Sequence, residues 1–133
     1  MSSDETRLRH IVECAEELAE YLQGQDEADF LENRLLRRAA ERLLTIIGEA
    51  AKHLTPETRK QIPVPWQDII RFRDKGIHGY DSLRPSTIFA IAKVAVPELQ
   101  RAVERYRSTR DVGAASQRNF RTSTPRAKSP VKR

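Results

Sequence analysis

Residues 31–54 read LENRLLRRAAERLLTIIGEAAKHL, and the spacing within them decides the fold class. Leu31, Leu35, Ala39, Leu43, Ile46, Ile47, Ala50 and Leu54 recur every three or four residues, and Leu36, Leu44 and Ala51 widen the stripe. That is the period of one helical face, and a stripe so wide predicts contact with more than one neighbour. Asp26 has the chemistry of an N-cap, so the spacing predicts one long helix over about 27–54. Gly48 lies inside it, where glycine costs about 1 kcal/mol relative to alanine. Beside Thr45, Ala50 and Ala51, it reads as a close helix–helix approach. Glu49 and Lys52, three apart, read as a surface pair.

The helical period continues on both sides. Upstream, Ser2 and Glu5 have capping-box spacing. Leu8, Ile11, Val12, Ala15, Leu18, Ala19 and Leu22 then line one face of a helix over about 4–23 that stops at Gly24. Downstream, Thr55-Pro56-Glu57 opens a short helix with proline in its first turn, cut off by Pro63 and Pro65. Trp66, Ile69, Ile70 and Phe72 mark a further helix of about ten residues. Arg84-Pro85-Ser86 starts the last, with Ile88, Ile91, Ala92, Ala95 and Leu99 inward and a kink or split expected at Pro97. Val103 and Tyr106 carry its apolar face to about residue 107. The expected fold is all-α, an antiparallel up-and-down bundle of four to five helices over residues 1–107.

From Ser108 onward Ser, Thr, Pro, Arg and Lys dominate, so 108–133 reads as a basic, disordered tail that cannot bury enough apolar surface to offset its ordering entropy. The net charge of +5 belongs to this end: residues 107–133 balance to +7 and residues 1–106 to −2. Any argument for nucleic-acid binding from overall charge therefore concerns the tail first. With 38% hydrophobic and 32% charged residues, the chain suits one soluble helical domain. No apolar run approaches the roughly 18–20 residues of a membrane span, and the polar start is wrong for a secretory signal. The single Cys14 permits no internal disulfide, so a reducing cytoplasm is the expected location. His10, His53 and His78 are too far apart in sequence to read as a metal cluster, and Cys14, His10 and His53 read as packing or surface residues.

Chemistry concentrates in Arg71-Phe72-Arg73-Asp74-Lys75-Gly76-Ile77-His78-Gly79-Tyr80-Asp81. On a continuous helix Arg73 and His78 would stand about 140° apart. They converge if the helix stops between them, and Gly76 is the expected stop. Beyond it an extended chain puts His78 and Tyr80 on one side, with Gly79 leaving the approach open. An imidazole moves protons near neutral pH and a guanidinium braces phosphate charge. Together they suffice for metal-free RNA cleavage, in which the ribose 2′-hydroxyl attacks phosphorus and leaves a cyclic phosphate and a 5′-hydroxyl. The residues alone also allow a bland loop, with Arg73 paired to Asp68, Asp74 or Asp81, a structural His78, and Tyr80 as a core residue with its hydroxyl satisfied.

Arg73, four residues, His78, one residue, Tyr80 resembles the signature of the HepT-like toxins within the HEPN family of all-helical ribonucleases. The flanks agree: Ile47-Gly48-Glu49-Ala50-Ala51-Lys52, Pro65-Trp66 and Pro97-Glu98-Leu99. The resemblance covers about residues 5–106. It implies a HEPN-like bundle acting as a metal-independent endoribonuclease, with Arg73 and His78 as the catalytic pair and Asp74, where the family often has asparagine, shaping the site. It further implies a homodimer whose two motifs line one cleft, and an MntA-type nucleotidyltransferase antitoxin as partner. That partner would use ATP and Mg²⁺ to transfer AMP to Tyr80, while this chain itself would need no cofactor or metal. A bulky anion on Tyr80 would repel RNA phosphates. The alternative is a catalytically inactive helical subunit that only binds a nucleotidyltransferase.

Overall fold

The computed structural model describes residues 3–78 and 84–121, with the backbone course alone for 74–78 and 111–121. Its elements are α1 (Asp4–Leu22), α2 (Glu27–Glu32), α3 (Arg34–Lys52), α4 (Pro56–Gln61), α5 (Trp66–His78), α6 (Pro85–Ala90), a π-helical turn (Ile91–Ala95) and α7 (Val96–Arg121). The described residues are thus all-helical, as the spacing predicts. Helix α3 packs between α1 and α5, and α1 also packs on α7.

The long helix expected over 27–54 is two helices. Asp26 does cap the first, in a reciprocal box with Asp29. Asn33 then leaves helical geometry (φ −106°, ψ 95°), and its Oδ1 accepts the backbone N–H of Leu36 at 3.0 Å. A side chain that can cap locally competes with the helix that would run through it. The restart breaks the stripe at its N-terminal end. Leu31 and Leu35 are exposed, Leu35 to 81%, while Phe30 and Leu36 turn inward. Phe30 meets Phe89 of α6 with ring centroids 5.3 Å apart.

At α1 the capping serine is Ser3, which accepts from the Thr6 N–H at 3.2 Å, and Ser2 lies outside the described residues. The apolar face of α1 is buried as expected except for Ala19, and Gly24 takes a positive φ of 75° just past its end. Cys14 is buried and His10 exposed.

The irregularity expected at Pro97 takes the form of a π turn that joins α6 to α7. The turn precedes the proline and is closed by a bond from the Val96 N–H to the Ile91 carbonyl. Proline lacks the donor a regular turn needs, and the wider turn takes up the mismatch. The inward position shifts with it: Val96 is buried where Ala95 was expected, and Ala95 is exposed. Helix α7 then continues past Ser108 to Arg121. The remainder of the basic tail lies outside the described residues.

Two fastenings fix the ends that carry α5. Asp4 takes the Thr55 N–H at 3.1 Å, the Thr55 hydroxyl at 2.6 Å and the hydroxyl of buried Thr58 at 2.5 Å, tying the start of α1 to α4. Buried Trp66 donates its indole N–H to the carbonyls of Arg59 and Ile62, each at 3.0 Å. That seats the first turn of α5 on the end of α4 and leaves the indole satisfied.

Candidate active site

The site begins at the crossing of α3 and α5, and Gly48 is the reason these helices come so close. A Cβ built on Gly48 would stand 2.5 Å from the Arg73 Cβ, 3.1 Å from the Ile69 carbonyl oxygen and 3.3 Å from the Arg73 nitrogen. No other residue fits there without moving α5. The close approach expected from the sequence is thus real, and it lies directly beneath Arg73.

One residue further along α3, Glu49 reaches across the crossing. Its Oε1 accepts a hydrogen bond from Arg73 Nε at 2.7 Å, and its Oε2 lies 3.3 Å from His53 Nε2. The Arg73 side chain is 20% exposed and that of Glu49 47%, so the pair is a partly desolvated, charge-assisted contact. The bond from Arg73 is the main cause that holds the Glu49 carboxyl below its ordinary value, against an opposing desolvation. Glu49 is therefore not simply the surface partner of Lys52 that the spacing implied. Of the carboxylates expected beside Arg73, Asp68 pairs with Arg71 at 3.2 Å, and the side chains of Asp74 and Asp81 lie outside the described residues.

The other expected site residues divide as follows. Asp74 and His78 are on the backbone of α5, His78 as its last helical residue. The helix runs through Gly76, so the expected stop between Arg73 and His78 is absent: positions 73 and 78 share one axis, about 140° apart around it. The physical reason is plain, since glycine in a helix costs only about 1 kcal/mol, less than packing along α5 supplies. Tyr80 lies outside the described residues, as does the loop geometry expected of Gly79. Glu49 is the residue that reading the motif misses. Its signal was present, an acid next to the one glycine that marks where a second helix must cross.

Among the described residues no three His, Cys, Asp or Glu side chains converge as a metal-binding set. No helix among them is long and apolar enough to cross a membrane.

An all-helical bundle that seats an arginine at a helix crossing, five residues ahead of a histidine, matches the ribonuclease class that the motif resembles. A family model described as Ribonuclease HepT-like matches residues 11–106, and the chain belongs to that family. It is 38% identical over 105 residues to a provisionally named RNase of Caldanaerobacter subterraneus subsp. tengcongensis, covering 78% of this chain and 94% of that protein. It is 33% identical over 98 residues to another provisionally named RNase, from Methanocaldococcus jannaschii, covering 73% and 90%. A "Probable ribonuclease HepT" of Thermococcus cleftensis is 32% identical over 101 residues, covering 75% and 92%. No solved structure matches the chain significantly.

Proposed function

We propose that this protein is the toxin of a toxin–antitoxin pair, a metal-independent endoribonuclease in which Arg73 and His78 cleave RNA by attack of the ribose 2′-hydroxyl. The observation that carries the reading is the seat of Arg73, a guanidinium held across the α3–α5 crossing by Glu49 at 2.7 Å and followed five residues later by His78. Arg73 would brace the phosphorane. His78 would take the 2′-proton or return one to the leaving 5′-oxygen, help typically worth about 10²–10⁴-fold. Asp74 would shape the site beside them.

The separation of positions 73 and 78 around a continuous helix, about 7.5 Å along the axis by the rise per residue, favours a composite site. In a homodimer, the arginine of one copy could meet a phosphate together with the histidine of the other. Tyr80, two residues beyond His78, would be the acceptor of AMP from a nucleotidyltransferase antitoxin that brings its own ATP and Mg²⁺. The modification would add negative charge beside a phosphate site and so silence it. The buried, single Cys14 accords with a cytoplasmic protein.

Purified protein, shown by intact mass to carry no adenylyl group on Tyr80, should degrade total cellular RNA in the presence of EDTA, and His78→Ala should not. Equal cleavage by both proteins would refute the assignment. A second reading, a non-enzymatic helical subunit of a nucleotidyltransferase complex, is favoured by one feature: the Arg73 charge is already partly compensated by Glu49. It predicts that Arg73→Ala leaves the protein's function unchanged.

A further inference from the structure

We propose that Glu49 is a positioning residue for Arg73: its carboxylate holds the guanidinium by Nε and so sets which end of it a phosphate of RNA meets. The inference rests on the ribonuclease reading above and deepens it. A guanidinium has one Nε–H edge and one two-nitrogen end, and bidentate recognition of a phosphate needs the plane held in one orientation. Here Nε is committed to Glu49 Oε1 at 2.7 Å.

Three features make that grip rigid. Arg73 and Glu49 stand on different helices, and Gly48 lets those helices touch at this point, with the Arg73 Cβ 2.5 Å from where a Gly48 Cβ would be. The second oxygen of Glu49 is met by His53, 3.3 Å away, so rotation of the carboxylate is opposed from both sides. Thr55, two residues beyond His53, is bonded to Asp4, which anchors the end of α3 to the start of α1.

The grip carries an opposing effect, because a carboxylate beside a phosphate site also repels substrate. Orientation acts on the chemical step and repulsion on binding, so the two separate in kinetics. Glu49→Ala should lower kcat about 10–100-fold, as misplacement of a catalytic group does, without raising KM. Glu49→Gln keeps an oxygen that accepts from Nε while losing the charge, and its kcat should stay within about threefold of wild type, since a bond from the cationic guanidinium to a neutral oxygen is still charge-assisted. In an Arg73→Lys background, which keeps the charge but has no Nε, Glu49→Ala should change kcat no further.

The test is the rate of cleavage of a defined RNA transcript at varied concentration by these variants, each with Tyr80 verified unmodified and its unfolding midpoint measured. An unchanged kcat in Glu49→Ala would overturn the role, and so would equal losses in the alanine and glutamine variants. A further drop in the lysine background would overturn it as well. Wild-type protein that leaves the RNA intact would instead remove the ribonuclease reading itself, and this role with it.

Discussion

Asp4 and Glu49 each reach across the molecule to another helix, and they do different things. Asp4 collects three donors from Thr55 and Thr58, all of them neutral, at a point where Thr58 is buried. Glu49 takes one cationic donor, Arg73, where its own side chain is half exposed and a histidine borders it. Burial alone would raise the Asp4 carboxyl, but its bonds from the two threonines outweigh this and leave it below its ordinary value. Glu49 is lowered chiefly by a single charge-assisted bond. The first arrangement joins two helices through neutral hydroxyl and amide donors. The second holds a guanidinium in place at the surface, which is a costly way to add stability, because half-exposed ion pairs contribute little.

The comparison breaks most sharply under Arg73→Ala and Asp4→Ala. Arg73→Ala should lower RNA cleavage by about 10²–10³-fold, the range for loss of one oxyanion-stabilising donor, while the unfolding midpoint in urea moves little. Asp4→Ala should do the reverse. It leaves the Thr58 hydroxyl short of its acceptor, at a cost of about 1–3 kcal/mol in unfolding free energy, with specific activity unchanged while the protein is folded.

Gly48→Ala sits between the two. Its methyl group must push α5 outward, an overpacking cost of about 1–3 kcal/mol offset by about 1 kcal/mol of helix propensity. A modest loss of stability should accompany a clear loss of cleavage, because the displaced residue is Arg73. Stability with full activity would mean that the crossing tolerates a shift the site does not feel.

The smallest effect is that of acid. Both carboxylates have folded-state values below their ordinary ones, so the stability each adds is fully present at neutral pH. It is lost as pH falls below the ordinary carboxylate range of about 4 and through the lowered folded values. Chemical denaturation across that range should show the wild type losing more stability than Asp4→Asn, and Glu49→Gln differing from wild type by less.

The all-helical class, the start and end of α1, the cap at Asp26 and the meaning of Gly48 follow from periodicity and from residues with strong local preferences. The misses share a physical form, since each is a local preference overridden by a competitor that periodicity does not record. Asn33 offers its own cap, so a stripe that looks continuous is cut and Leu35 is left exposed. Gly76 is a weak breaker, and the helix runs over it to His78. Pro97 is a strong one that does disturb its helix, but through a π turn over Ile91–Ala95 that trades Ala95 for Val96 inside. Arg73 stands out in the sequence because the residue types around it are rare together. The contact of Glu49 with Arg73 is not legible there because it spans 24 positions between helices, and only the glycine beside it hints that the helices meet.

The measurement closest to the central claim is an end-group analysis of RNA incubated in EDTA with wild-type and Arg73→Ala protein, Tyr80 unmodified in both. Wild type should give products with 2′,3′-cyclic phosphate and 5′-hydroxyl ends, and the variant should lose them. Undiminished cleavage by Arg73→Ala, or intact RNA after incubation with unmodified wild type, would contradict that claim.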